Sequence, residues 1–156
     1  MPTGPGRLTV LSVVILVGML VVAACGGGAA ASAPTSGSAS ASARNCPASA
    51  GLPASVNDHG TVVASGGQIG VQAKDFFFSP TCVTGVPGGT VTLIVHNVGQ
   101  ALHNVSIPSL GIDMDVAPGQ TITVPLRMGS TPLVFFCKYH KGVGMYGALL
   151  PTGSHA

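Results

Sequence analysis

From about Asp58 to Thr152, apolar and polar positions alternate in short runs broken by Gly and Pro. "TVTLIVHN" at 90–97 sets Val91, Leu93 and Val95 on one face, the two-residue period of a half-buried strand. "IGVQAKDFFF" at 69–78 alternates through Ile69, Val71 and Ala73 and then crowds its aromatics. Further β-type runs are "TVVAS" (61–65), "HNVSI" (103–107), "QTITVPL" (120–126), "PLVFFC" (132–137) and "MYGALLP" (145–151). Turn signals recur between them at "VPGG" (86–89), "APGQ" (117–120) and "MGS" (128–130). No segment sustains the helical apolar period over several turns. The pattern predicts an all-β domain, a small antiparallel β-sandwich of about seven to eight strands.

The N-terminus reads differently. After Arg7 comes the unbroken apolar run "LTVLSVVILVGMLVVAA" (8–24), between a signal h-region and a short membrane helix in length. Its ending, "VAAC" (22–25), resembles a bacterial lipobox. That resemblance implies a signal peptide at 1–24, cleavage, and lipid on Cys25. The alternative is a membrane helix with a stray cysteine. "GGGAAASAPTSGSASASA" follows at once and is too poor in apolar side chains to offset its ordering entropy. Residues 25–57 are therefore expected to be a lipid-anchored, disordered tether, its Gly/Ser-rich part reaching roughly 25 Å as a coil. The folded domain, 58–156, is expected at the outer face of the bacterial cell membrane, on the periplasmic or extracellular side.

Composition narrows the function. Six basic and four acidic residues leave a net charge of +2, too weak for a nucleic-acid surface. Four cysteines change the picture more. With Cys25 lipidated, Cys46, Cys82 and Cys137 remain in an oxidising compartment, and one must be left over. Cys46 and Cys82 have no His or second Cys at metal-ligand spacing and are read as a disulfide. Cys137 is the odd thiol, and metal ligation would protect it.

Cys137, His140 and Met145 form the pattern C-x2-H-x4-M between two predicted strands, and His103 heads a strand upstream. Two imidazoles, a thiolate and a weak axial thioether are the donor set of electron-transfer copper. This end of the domain, with the "FSP...VPGGTVTLIVHN" run and the upstream His-Asn, resembles plastocyanin and its relatives, the cupredoxins. The resemblance, over roughly 69–151, implies a Greek-key sandwich and one copper ion held by His103, Cys137, His140 and Met145. It also implies that Asn104 ties the two ligand loops together and that His140 is the electron port, with Leu102 and Val143 on its rim. Two features depart from the family. Tyr139 stands where a Pro often precedes the second His, predicting a less stiff loop, and the acidic docking patch of plastocyanin has no counterpart.

The expected function is electron transfer by a mononuclear type 1 copper site, not catalysis. The expected partners are redox proteins such as a cytochrome or an oxidase, with the chain monomeric and touching the membrane only through its lipid. Copper storage or delivery is the alternative, and a metal-free β-domain for adhesion or assembly is a third. Lys138 and Lys141 are read as solvated charges rather than a docking patch, and Met114 as a loop residue.

Overall fold

A computed structural model describes residues 45–154. The signal segment, Cys25 and the tether up to residue 44 lie outside the described residues. Among the described residues no helix is long and apolar enough to cross a membrane.

Among the described residues, ten strands form two sheets. They are β1 (Thr61–Val63), β2 (Gln68–Lys74), β3 (Phe77–Ser79), β4 (Cys82–Val86), β5 (Gly89–Asn97), β6 (His103–Ile107), β7 (Ile112–Val116), β8 (Thr121–Met128), β9 (Leu133–Phe136) and β10 (Tyr146–Pro151). One sheet has the order β3-β2-β5-β8, the other β1-β4-β10-β9-β6-β7. The expected sandwich is present, with more strands and with mixed rather than purely antiparallel sheets. The run 69–78 divides at Asp75–Phe76 into β2 and β3, and β4 and β7 were not visible as alternation. Three pairs, β1 with β4, β4 with β10 and β2 with β5, run parallel.

The four-stranded sheet is built from strict alternation. Ile69, Val71 and Ala73 of β2, Val91, Leu93 and Val95 of β5, and Ile122, Val124, Leu126 and Met128 of β8 all face inward. Pro125 is tolerated in β8 because β8 is an edge strand, where a missing N–H breaks no second ladder. The opposing sheet adds Val105, Ile107, Val116, Phe135 and Leu149 to the same core, and Phe78 meets Phe135 edge-on at 4.9 Å between ring centres.

The N-terminal segment covers the other face of this second sheet. A disulfide joins Cys46 to Cys82, and Ala50, Cys82, Ala148 and Leu150 pack with Leu52 into a small satellite core. Residues 45–57, assigned to the tether from sequence, thus lie against the sandwich, held further by the Asp58 carboxylate accepting from the Cys46 and Gly60 N–H groups.

At one end of the six-stranded sheet, strands β6 and β9 part. They share a single register pair, Ser106 with Phe136. Continuing that antiparallel register would set Asn104 opposite Lys138, and there the Asn104 side-chain oxygen accepts from the Lys138 backbone N–H at 3.4 Å. A side chain takes the place of the next ladder bond, and the sheet opens just where His103 begins β6 and Cys137 follows β9.

Candidate metal centre

Three elements supply the donors. His103 is the first residue of β6, Cys137 follows β9, and His140 precedes a short 3-10 turn at Lys141–Val143. Met145 then leads into β10. The loop closes on itself through its backbone: Cys137 N–H donates to the Met145 carbonyl at 3.0 Å, and Met145 N–H donates to the His140 carbonyl at 3.2 Å. Gly144 is required here. It has φ +88°, and a Cβ would run into the backbone of Ser55 and Asn57. That close approach is sealed by Asn57 N–H donating to the Gly144 carbonyl at 2.9 Å.

The ligating atoms of His103, Cys137 and His140 all lie within 4.8 Å of one another. Cys137 Sγ is 3.4 Å from His140 Nδ1, and the two imidazole centres are 5.1 Å apart. Donors this close together can share one ion, given metal–ligand bonds of about 2.0–2.3 Å. His103, Cys137 and Met145 are fully buried, and His140 is partly exposed. The decisive observation is His103 Nδ1, a buried nitrogen without a hydrogen-bond partner. Buried polar atoms are nearly always satisfied, so an unpaired one on a ring grouped with a thiol and a second imidazole marks a place for a ligand.

Protonation favours metal over a charged empty site. Burial, and then the neighbouring His103, push the His140 imidazolium below its ordinary value, leaving a neutral ring able to donate a lone pair. Burial pushes the Cys137 thiol up, so an anionic sulfur here calls for a cation beside it.

Around the donors lie residues that sequence reasoning missed. Asp75 Oδ1 sits 2.9 Å from His103 Nε2, while its carboxylate accepts from Gln100 N–H at 2.7 Å and Ala101 N–H at 3.2 Å. The Gln100 N–H is the main influence holding this carboxyl below its ordinary range. Phe76 packs on the His140 ring at 4.4 Å between centres. Asp113 and Asp115, on β7, both accept from the Asn104 amide, and both pair with Lys138.

These contacts revise three expectations. Asn104 accepts from the Lys138 backbone N–H and donates to Asp113 and Asp115 of β7. Lys138 is an ion-paired residue rather than a free solvated charge, whereas Lys141 lies over the Phe136 ring. Met114 belongs to strand β7, not to a loop. The Tyr139 substitution is not slack either, since its hydroxyl donates to Asp115 at 2.8 Å. No sequence signal pairs Asp75 with His103, because the two are 28 residues apart and come from opposite sheets.

The sandwich, with its ligand loop between the last two strands and its upstream His-Asn, is a plastocyanin-like cupredoxin fold. Among solved structures it is similar to the metal-binding domain of the Streptococcus pneumoniae Cu(I)-exporting P-type ATPase, at 15% identity and TM-score 0.50, covering 60% of this chain and 96% of that one. It is also similar to auracyanin from Roseiflexus castenholzii, at 17% identity and TM-score 0.47, covering 56% and 98%. A mutant fern plastocyanin aligns at 19% identity and TM-score 0.44, covering 53% and 98%. No protein-family model matches the chain, and no curated protein matches it in sequence.

Proposed function

We propose that this protein is a single-copper electron carrier, tethered through lipid on Cys25 to the outer face of a bacterial membrane. The observation that carries the reading is the buried His103–Cys137–His140 group with an unpaired imidazole nitrogen at its centre. His103 Nδ1, Cys137 Sγ and His140 Nδ1 would hold the ion, with Met145 as the weak fourth donor. Bound copper supplies a one-electron couple at near-constant donor positions. The chain's part is to keep those positions fixed: the Cys137–Met145 backbone bond closes the loop, and Asn104 fastens it to β6.

His140 is the route outward. Phe76, Leu102, Tyr139 and Val143 are exposed apolar or aromatic residues at this end, between 41% and 60% exposed. Such a face suits brief contact with a redox protein, whereas a substrate would need an open coordination position that four protein donors do not leave. The chain is proposed to work as a monomer.

Copper storage or delivery is the competing reading, since a thiolate and a thioether also suit Cu(I) and an exporter domain shares the fold. The full burial of three of the four donors supports slow exchange and hence a carrier. Adding equimolar Cu(II) to the protein tests both. The carrier reading expects an intense blue absorption and slow loss to a chelator. A colourless protein holding one Cu(II) rejects it, and rapid loss to the chelator favours delivery.

A further inference from the structure

His103 has two ring nitrogens, and the fold treats them oppositely. Nδ1 is buried and unpartnered, while Nε2 faces the Asp75 carboxylate at 2.9 Å. An ionised carboxylate only accepts hydrogen bonds, so Nε2 must carry the proton. A neutral imidazole has one N–H, which leaves a bare, buried Nδ1 lone pair on the ring grouped with Cys137 and His140.

Asp75 is itself built in. It stands at the turn between β2 and β3, in the sheet opposite His103, and crosses to the turn at 98–101 that leads into β6. Two backbone N–H groups of that turn, from Gln100 and Ala101, hold its oxygens. Gly99 completes the cradle, because a Cβ there would overlap the Asp75 carboxylate. The carboxylate is therefore fixed before any metal arrives.

We infer that Asp75 is a positioning residue for the metal centre, acting through His103: it selects the Nδ1-donating tautomer, locks the ring, and biases bound copper toward the oxidised state. The bias follows from charge. Cu(II) carries one more positive charge than Cu(I), so an anion one imidazole away stabilises the oxidised ion more. Carboxylate partners of ligating histidines typically change metal affinity tenfold to a hundredfold. The inference rests on the copper reading above, but its first test does not need copper.

In the metal-free protein, long-range proton–nitrogen spectra of the His103 ring should show Nε2 protonated and Nδ1 bare. A ring protonated on Nδ1 overturns the inference while leaving the carrier reading intact, whereas a protein that takes up no copper overturns the carrier reading. In the copper-loaded protein, Asp75→Asn keeps an acceptor and removes the charge. The ratio of Cu(I) to Cu(II) affinity should rise about tenfold, a 59 mV increase in potential for a one-electron couple. Asp75→Ala should also weaken Cu(II) binding by roughly ten- to a hundredfold. Gly99→Ala, which displaces the carboxylate without removing it, should shift the potential in the same direction. Affinities within twofold of wild type, and potentials within the corresponding ~18 mV, in all three variants overturn the inference. If the Asp75 variants do not fold, Gly99→Ala and the ring tautomer decide it.

Discussion

His103 enters the candidate metal centre from a strand, whereas Cys137 and His140 enter from a loop that the Met145 backbone closes, and different parts of the chain brace the two arms. The strand arm is held at one atom: Asp75 reaches across from the opposite sheet and fixes a fully buried ring. The loop arm is held at many. Its near side is fastened by Asn104, Asp113, Asp115, Lys138 and Tyr139, and its far side by the N-terminal segment pressing on Gly144. A strand needs little more than orientation, because its backbone is already ordered by pairing with β7 over five residues. A loop has no ladder and must be immobilised by side chains and by neighbouring chain. Loss of a brace should therefore change the chemistry of the strand arm and the order of the loop arm.

The largest effect comes from removing the sulfur of the loop arm. Cys137→Ser should abolish the intense copper absorption altogether while the metal-free β-sheet signal in circular dichroism persists. A variant that keeps the absorption would remove the sulfur from the site.

Next in size is the brace beneath the far side of the loop. Replacing both Cys46 and Cys82 with Ala opens a link spanning 36 residues, which should lower stability by about 3–4 kcal/mol in the chain-entropy model. Hydrogen exchange should quicken at Gly144–Tyr146 more than at His103–Ser106, because only the former lean on the N-terminal segment. Equal acceleration in both arms would mean that the segment is no special brace for the loop.

A sharper version isolates one contact. Gly144→Ala places a Cβ at a left-handed position and against the Ser55 and Asn57 backbone, costing about 1–3 kcal/mol. Gly142→Ala in the same loop meets open space, and should stay within about 0.5 kcal/mol of wild type. Urea unfolding of the metal-free protein measures both. Similar losses at the two positions would show that the loop responds to any added methyl rather than to this approach.

Legibility in the sequence follows the same division. Strands β2, β5 and β8 were readable because each buries one face, so the core writes a two-residue period into the chain. The His103–Cys137–His140 group could be approached from sequence because Cys137 and His140 are near neighbours and parity leaves Cys137 without a partner. The Cys46–Cys82 pairing was open to parity for the same reason. Strand β7, "IDMDV", was not, since an edge strand with three exposed residues buries too little to leave a pattern. Asp75 and Asn57 were invisible for another reason: each acts across the fold on a residue it meets only after the sheets have packed. The resemblance to cupredoxins pointed to the candidate donors, whereas the groups around them come into view only once the chain is folded.

The smallest expected effect concerns the near side of the loop and its dependence on pH. Asp113 is held below the ordinary carboxylate range chiefly by Lys138, and Asp115 chiefly by the Asn104 amide and then the Tyr139 hydroxyl. A carboxyl whose folded value lies below its unfolded value of about 3.9 stabilises the fold above that value. The contribution is lost as pH falls through the lower, folded value. Metal-free protein should therefore be insensitive to these two groups from pH 7 down to about 5, then lose stability below about pH 4. The double variant Asp113→Asn, Asp115→Asn should show a shallower acid slope, since its amides do not titrate. Their side chains are 59% and 47% exposed, so water and salt weaken the pairing, and raising ionic strength should shrink the difference between wild type and variant. An acid slope identical in the two proteins would mean that Tyr139 and Lys138 are held by packing alone. The near side of the loop would then be braced, like the far side, by shape rather than charge.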